Sequence, residues 1–583
     1  MLSGEEVRAL QDIVSPQWVF TDACLLDTYA FFMNPETLAR DGGRWTPRPE
    51  AVILPESTRE VQEIVRFCNR AGLMVKPLST GFHTVAAASR ERVLILDLKR
   101  MNRILDIDLR NQVAIVEPYV KAFELQTELF KHGLNVHIVS CGSNHSLLAS
   151  HTAAWGYGVS GSSTSFSGRN LLGVEWVLPT GEALTLGSGG TGAGWFTADG
   201  PGPSLRGVLR GFCGTFGGLG VFTKCALKLY KWDGPSDWET GGRSPVYFLT
   251  RKPERLSMNV LAFPSAQALR DAGYLLGEAQ IDYAQFRTPM FFTALGMSEN
   301  NEELKNLLEA GVFQKAAQHL LVNAVVGRTR GEYRWKRKAL RQVLRETGGV
   351  SLPLASRPPA RVLRLLFRFA RTRLYRRLLA RVRDPLAPLR RFPWLQEILN
   401  RLPFGRQQRL EQFSRLFWLL IRNAVNTQAT FRPSQGMSTM LGAFDTWDLG
   451  VAQSDWVARA KQPYIREGLI LDDGGDLGCG GTFENGHLGY LEGIILYNTK
   501  DPRSIMATGE LIGSGIEAAI EKAMGIPIAG FGEEMNARLG PHCRDYHRWQ
   551  ARIKKALDPN NVSDPFFYSE PEQEQRQQEE DPG

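Results

Sequence analysis

The sequence predicts an α+β chain in two main parts, the second carrying a basic helical insert. Three observations predict it. Short proline-bounded strands and an amphipathic helix occupy the first hundred residues. A turn with four glycines, Gly214-Thr215-Phe216-Gly217-Gly218-Leu219-Gly220, opens a β-patterned run from Val221 to Leu229. The stretch 357–409 holds 15 Arg, no Lys and only two acids, Asp384 and Glu397.

In chain order, Glu50-Ala51-Val52-Ile53-Leu54 lies between Pro49 and Pro55 and reads as a strand. Ser57 is placed to cap the next helix, with Glu60 three residues on completing a capping box. Val61, Ile64, Val65 and Cys68 recur at helical spacing and predict its buried face. Met74–Leu78 reads as a strand running into a loop, Leu78-Ser79-Thr80-Gly81-Phe82-His83. Gln112–Val116 is a strand closed by Pro118, and Leu171–Leu178 is another that ends in a turn at Pro179-Thr180-Gly181. Glycine admits positive φ and close backbone approach, so the turn 214–220 suits a flat cofactor or a phosphate.

The order of these pieces resembles the FAD-binding domain of the vanillyl-alcohol-oxidase/FAD-linked oxidase (PCMH-type) superfamily. The nearest branches are the glycolate oxidase/D-lactate dehydrogenases and the alkylglycerone-phosphate synthases. The resemblance covers roughly 46–232 and returns at Lys554–Val562. It implies a two-part FAD-binding domain at 46–232 behind an N-terminal helical segment (1–45). It also implies an α+β cap, or substrate, domain at 233–540, a returning segment at 541–568 and an acidic tail at 569–583.

By resemblance the FAD contacts are Pro77, Leu78, Ser79, Thr80, Gly81, Phe82 and His83 in one loop. Gly142, Ser143, Ser146, Leu147, Thr152, Ala153 and Gly156 form the second, and Gly214, Gly217, Gly220 and Val221 the third. The pyrophosphate is expected on backbone N–H groups, although the first loop holds a single glycine. Leu148-Ala149 stands where relatives carry Gly-Gly, and Phe216 where they carry an acid. Phe82 fills the position of the histidine that binds FAD covalently in some relatives, so non-covalent FAD is expected.

On the substrate side the chemical segment is Cys479–Gly493. Gly486-His487-Leu488-Gly489 matches the opening of a divalent-metal site in the hydroxyacid dehydrogenases. The second ligand position is Ile494, and the last pair aligns with Ile528-Ala529. A catalytic zinc takes three protein ligands, so no such metal is expected. His487 is then the candidate base, helped by Tyr490 or by Glu484 or Glu492, because histidine titrates near neutrality. A structural role for His487 is the competing reading.

The net charge is +8, yet 357–409 alone carries +13, which leaves −5 elsewhere. This is not the even basicity of a nucleic-acid binder, and no nucleic acid is expected as partner. Arg361, Arg364, Arg368 and Arg371 fall opposite Leu363, Leu366, Phe367, Ala370 and Leu374. A peripheral membrane helix, an acidic partner protein and a solvated cap face or lid all remain open for this segment. No apolar run reaches the ~20 residues that span a bilayer, and the seven cysteines form no CxxC pair. A cytoplasmic protein, at most peripheral to the inner membrane face, is expected, with a disordered acidic tail.

The function expected is a flavin-dependent dehydrogenase of an organic hydroxy-acid-like or apolar substrate. It would pass hydride to flavin N5 and electrons to a partner protein or quinone. The alternatives are ether-lipid chemistry of the alkylglycerone-phosphate-synthase kind and a flavin-binding structural subunit of a complex.

Overall fold

A computed structural model describes residues 2–30, 47–81, 86–140, 142–153, 156–196, 203–211, 214–243, 246–251, 253–287, 302, 319–353, 410, 413–414, 416–422, 436–440, 442, 444–473, 478–525, 538–565 and 568. Phe82, His83, the Arg-rich stretch 357–409, Ile528-Ala529 and the tail 569–583 lie outside them.

The chain opens with α1 (Gly4–Val14), closed by a reciprocal capping box in which Ser3 Oγ accepts from Glu6 N–H at 3.2 Å. Strands β1 (Val19–Phe20), β2 (Ala51–Ile53), β3 (Met74–Leu78) and β4 (Val93–Asp97) form a sheet of order β1-β2-β4-β3. β2, β4 and β3 are parallel, which requires a crossover; α2 (Thr58–Ala71) supplies it between β2 and β3. Val61, Ile64, Val65 and Cys68 are fully buried, the face that their spacing predicts. Ser57 Oγ accepts from Glu60 N–H at 3.2 Å, but the Glu60 carboxylate accepts from Glu56 N–H, one residue before the capping-box partner. Gly72, at φ +61°, ends the helix.

The second sheet contains β5 (Ile104–Asp108), β6 (Val113–Val116), β7 (Leu134–Val136), β8 (Leu171–Val177), β9 (Ala183–Leu186) and β10 (Val221–Lys231). Its order is β5-β6-β10-β8-β9, with β7 pairing the far end of β10, and every pairing is antiparallel. Long, central β10 is thus the strand that the glycine-rich turn feeds. Trp176 and Phe222 pack at 5.1 Å between ring centroids, and the buried Trp176 indole donates to Leu219 O at 2.7 Å, which fixes the base of that turn. Helices α3 (Ala122–Phe130) and α4 (Leu147–Thr152) connect to this layer.

The second part of the chain, where the cap is expected, begins with the hairpin β11 (Thr240–Arg243) and β12 (Val246–Leu249). β13 (Leu256–Ala262), β14 (Ala284–Phe286), β15 (Leu320–Val326) and β16 (Val350–Pro353) follow in the order β14-β15-β13-β16. α5 (Ala266–Ala279) and α6 (Arg330–Thr347) bury Leu269, Leu276, Leu340 and Leu344 in the core of this layer. β17 (Gly436–Met440), β18 (Cys479–Phe483) and β19 (Leu488–Tyr497) form a further sheet in the order β17-β19-β18, with α7 (Trp447–Ala460) and α8 (Pro502–Glu521). A bridge between Arg287 and Gly480 ties β18 to the end of β14.

The chain then returns. Helix α9 (Tyr546–Leu557) leads to a segment that lies along β3: Val75 N–H donates to Val562 O at 2.7 Å and Asp564 N–H to Val75 O at 2.9 Å. The returning segment thereby covers the exposed edge of the first sheet.

Candidate functional site

Three loops expected to hold a cofactor meet at the junction of the two sheets. Pro77 and Leu78 end β3 and deliver Ser79, Thr80 and Gly81 beside the second loop, where Thr80 Oγ1 accepts from Ser146 N–H at 3.1 Å. Ser146 also caps α4, its Oγ accepting from Ala149 N–H at 3.0 Å, and Leu147 begins that helix fully buried. The third loop closes on the end of α4: Thr215 N–H donates to Thr152 O at 3.0 Å and Phe216 N–H to Ala153 O at 2.9 Å. Gly214, at φ +58°, makes this approach possible, since a Cβ there would lie 2.4 Å from Thr152 O. Gly217 sits over Pro77, and Gly220 over Val177 O at the first residue of β10, Val221. Gly156 packs against Ser167 and accepts from His137. Gly142 takes φ +105°, and Ser143 O accepts from Phe123 N–H.

The donor set fits FAD. Among the described residues the N–H groups of Thr80, Gly81 and Asn144 donate to no protein acceptor. Thr215 Oγ1 is buried without a hydrogen-bond partner among them. Such adjoining backbone donors make an anion cradle that needs no cationic side chain. The neighbouring imidazoles add no charge, because burial pushes His137 and His145 down to about 4 and His151 to about 3.

The returning segment, expected from the resemblance, completes the cradle, and the part that Lys554 plays in it is one that sequence reasoning missed. Lys554 Nζ donates to Gly218 O at 2.9 Å, to Ser563 O at 2.8 Å and to Asp558 Oδ2 at 2.5 Å. Ser563 Oγ accepts from Gly220 N–H at 2.9 Å. Burial lowers the Lys554 pKa, and the attraction of Asp558 opposes that fall.

On the cap side, Tyr490 and Glu492 stand two apart on β19 and so share a face; Cys479 on β18 is in register with Glu492. Tyr157 reaches the same point from just beyond the second cofactor loop. Glu492 accepts from Tyr157 Oη at 2.7 Å, from Cys479 Sγ at 3.0 Å and from Tyr490 Oη. All of these residues are largely or fully buried, Cys479 at 8% exposure and Tyr490 at 0%. Burial pushes the Glu492 carboxyl above the ordinary carboxylate range, and the three donated hydrogen bonds oppose that rise. Burial, reinforced by the nearby Cys479 and Glu492, raises both phenols well above their usual value, so they act as protonated donors. The Tyr157 and Tyr490 rings lie 4.3 Å apart, and Phe444, Phe166 and Phe483 extend the aromatic wall.

The other expected catalytic residues lie elsewhere. His487, expected as the base, is exposed in the turn between β18 and β19, where its N–H donates to Glu484 O at 3.1 Å. Glu484 accepts from Ser165 Oγ at 2.6 Å and pairs with Arg169 at 2.7 Å, clasping the cap hairpin to the first part of the chain. The acid–base groups beside Tyr490 are therefore Glu492, Cys479 and Tyr157. Ile494, at the second ligand position of the hydroxyacid dehydrogenases, is a buried β19 residue paired with Thr439.

Comparison with known proteins agrees with this geometry. Residues 49–187 match a family model described as an FAD binding domain. Alkyldihydroxyacetonephosphate synthase of Dictyostelium discoideum is 25% identical over 231 residues, 39% of this chain and 36% of that protein. Glycolate oxidase subunit GlcD of Bacillus subtilis is 28% identical over 189 residues, 31% of this chain and 37% of its own. The matched stretches span about a third of the length of these curated relatives. Among solved structures, 4-ethylphenol oxidase from Gulosibacter chungangensis superimposes with a TM-score of 0.65 over 98% of both chains at 18% identity. The structure of p-cresol methylhydroxylase with substrate bound gives 0.62 over 97% of this chain at 15% identity. Residues 49–187 thus match an FAD binding domain, and the fold is shared with 4-ethylphenol oxidase and p-cresol methylhydroxylase.

Proposed function

We propose that the protein is an FAD-dependent dehydrogenase that oxidises a hydroxyl-bearing organic substrate with an apolar body. The observation that carries this reading is the buried carboxylate of Glu492, ringed by three donors at the seam between cap and FAD-binding domain. FAD, when bound, supplies the hydride acceptor. Tyr157 and Tyr490 donate their hydroxyl protons to Glu492, which fixes the carboxylate and supports its ionised form. Glu492 takes the hydroxyl proton, for which a raised carboxyl pKa is the suitable starting point. The wall of Phe166, Phe444 and Phe483 seats the apolar part and keeps water from the reacting centre. Glycolate oxidase subunit GlcD, D-2-hydroxyglutarate dehydrogenase and D-lactate dehydrogenase are named for hydroxy-acid substrates, and 4-ethylphenol oxidase for a phenol. FAD is held without a covalent bond, on the reading of Phe82, and a partner protein or quinone takes the electrons.

The base must be ionised to act. Activity therefore rises as pH climbs through the elevated Glu492 pKa and is lost below it. The test is Glu492→Gln, which keeps the shape and removes the base. Its turnover, measured with a dye acceptor, should fall by about 10²–10⁴-fold with flavin content unchanged. Wild-type turnover in this variant would exclude Glu492 as base.

A second reading is favoured by the relative that aligns with 39% of the chain, an alkyldihydroxyacetonephosphate synthase. It is ether-lipid synthesis at the same site. Lipid product formed with no electron acceptor present distinguishes it from the dehydrogenase.

A further inference from the structure

We infer that the outward face of α6 is a docking surface for an anionic lipid bilayer. Helix α6 carries seven cations and two acids between Arg330 and Thr347. Together with 357–409, the region 330–409 holds +18, so the rest of a +8 chain is at −10. The positive field of the molecule therefore has one source.

Six of the cations on α6 divide into two sets, and the seventh, Arg337, lies over the Tyr333 ring at 5.8 Å. Arg330 and Lys336 are spoken for, by Glu254 at 3.2 Å and Glu332 at 2.8 Å. Arg334, Lys338, Arg341 and Arg345 are exposed, and among the described residues no carboxylate pairs with any of them. Their spacing of four, three and four residues puts them in one stripe, about 16 Å long at the helical rise. Leu340, Val343 and Leu344 occupy the opposite, buried side, which fixes the stripe outward. Trp335 stands at its N-terminal end, 55% exposed.

A row of unpaired cations with an exposed indole fits the headgroup layer of an anionic membrane, where tryptophan and arginine both favour the interface. An acidic protein would satisfy the charges but gives no reason for an exposed tryptophan. The basic, Phe- and Trp-bearing stretch 357–409 follows α6 in sequence after strand β16.

The test is co-sedimentation of the full chain with vesicles of phosphatidylcholine alone or with 30% phosphatidylglycerol. Binding is expected only to the anionic vesicles and should weaken with salt. The variant Arg334→Gln/Lys338→Gln/Arg341→Gln/Arg345→Gln should bind roughly tenfold more weakly, and Trp335→Ala two- to threefold. Arg334→Lys/Arg341→Lys/Arg345→Lys, which keeps the charge, should bind as wild type and guards against a folding defect. Equal binding to both vesicle types, or an unchanged quadruple variant, overturns the proposal. Retention on an acidic polypeptide without vesicle binding also overturns it and reassigns the face to an acidic protein.

Discussion

The FAD-binding half and the cap build their sites from different material. On the FAD side the geometry is set by backbone: Gly214 lets one loop touch the carbonyl of another, and N–H groups line the cradle. On the cap side it is set by side chains: three donors from three segments converge on one carboxylate, and Tyr157 and Glu492 are 335 positions apart. A backbone site tolerates varied side chains provided its glycines stay. A side-chain site fails one residue at a time.

The sharpest way to break this contrast lies at Lys554. Lys554→Met leaves the buried Asp558 carboxylate without its cation, held by the N–H groups of Val562 and Ser563, and frees Gly218 O. A loss of about 3–5 kcal/mol in unfolding free energy is expected, together with release of FAD on gel filtration. Stable, yellow protein would show that the cradle stands without its clasp.

Tyr157→Phe tests the cap side with a smaller effect. Removing one of three donors weakens support for the ionised Glu492, so its pKa should climb further. The low-pH limb of the rate profile should move to higher pH, and turnover at pH 7 should drop about tenfold while FAD stays bound. An unmoved limb would detach Tyr157 from the base.

His487→Ala should do least. The side chain is exposed at a hairpin turn, and turnover within about twofold of wild type is expected, a surface-site effect below 0.5 kcal/mol. A large loss would return His487 to the reacting centre and sharpen the metal-site resemblance of its motif.

The same contrast explains what could be read in advance. The buried face of α2 and the strands β2, β3, β6, β8 and β10 were legible, because glycine, proline and helical periodicity write local geometry directly, whereas the meeting of the loops at 77, 146, 152 and 214 was implied only by the family resemblance. The Glu492 cluster was not. Tyr490 and Glu492 show a two-residue spacing, but nothing in that spacing announces that Cys479 lies opposite and Tyr157 arrives from the other domain. His487 drew notice through a motif, and burial, which no motif encodes, moved the emphasis to Glu492. The clasp at Lys554 was equally silent, because a lysine in an amphipathic helix reads as solvent-facing until its carbonyl partners are seen.

Lys554 also has a consequence in time. Its partner Gly218 lies 336 residues earlier in the chain. At ribosomal rates of about 5–20 residues per second, roughly 20–70 s separate the two during synthesis. The dinucleotide cradle is therefore translated early but strapped late. Throughout that interval the nascent protein exposes an unsealed β3 edge, and stable retention of the yellow prosthetic group becomes one of the last events in its biogenesis.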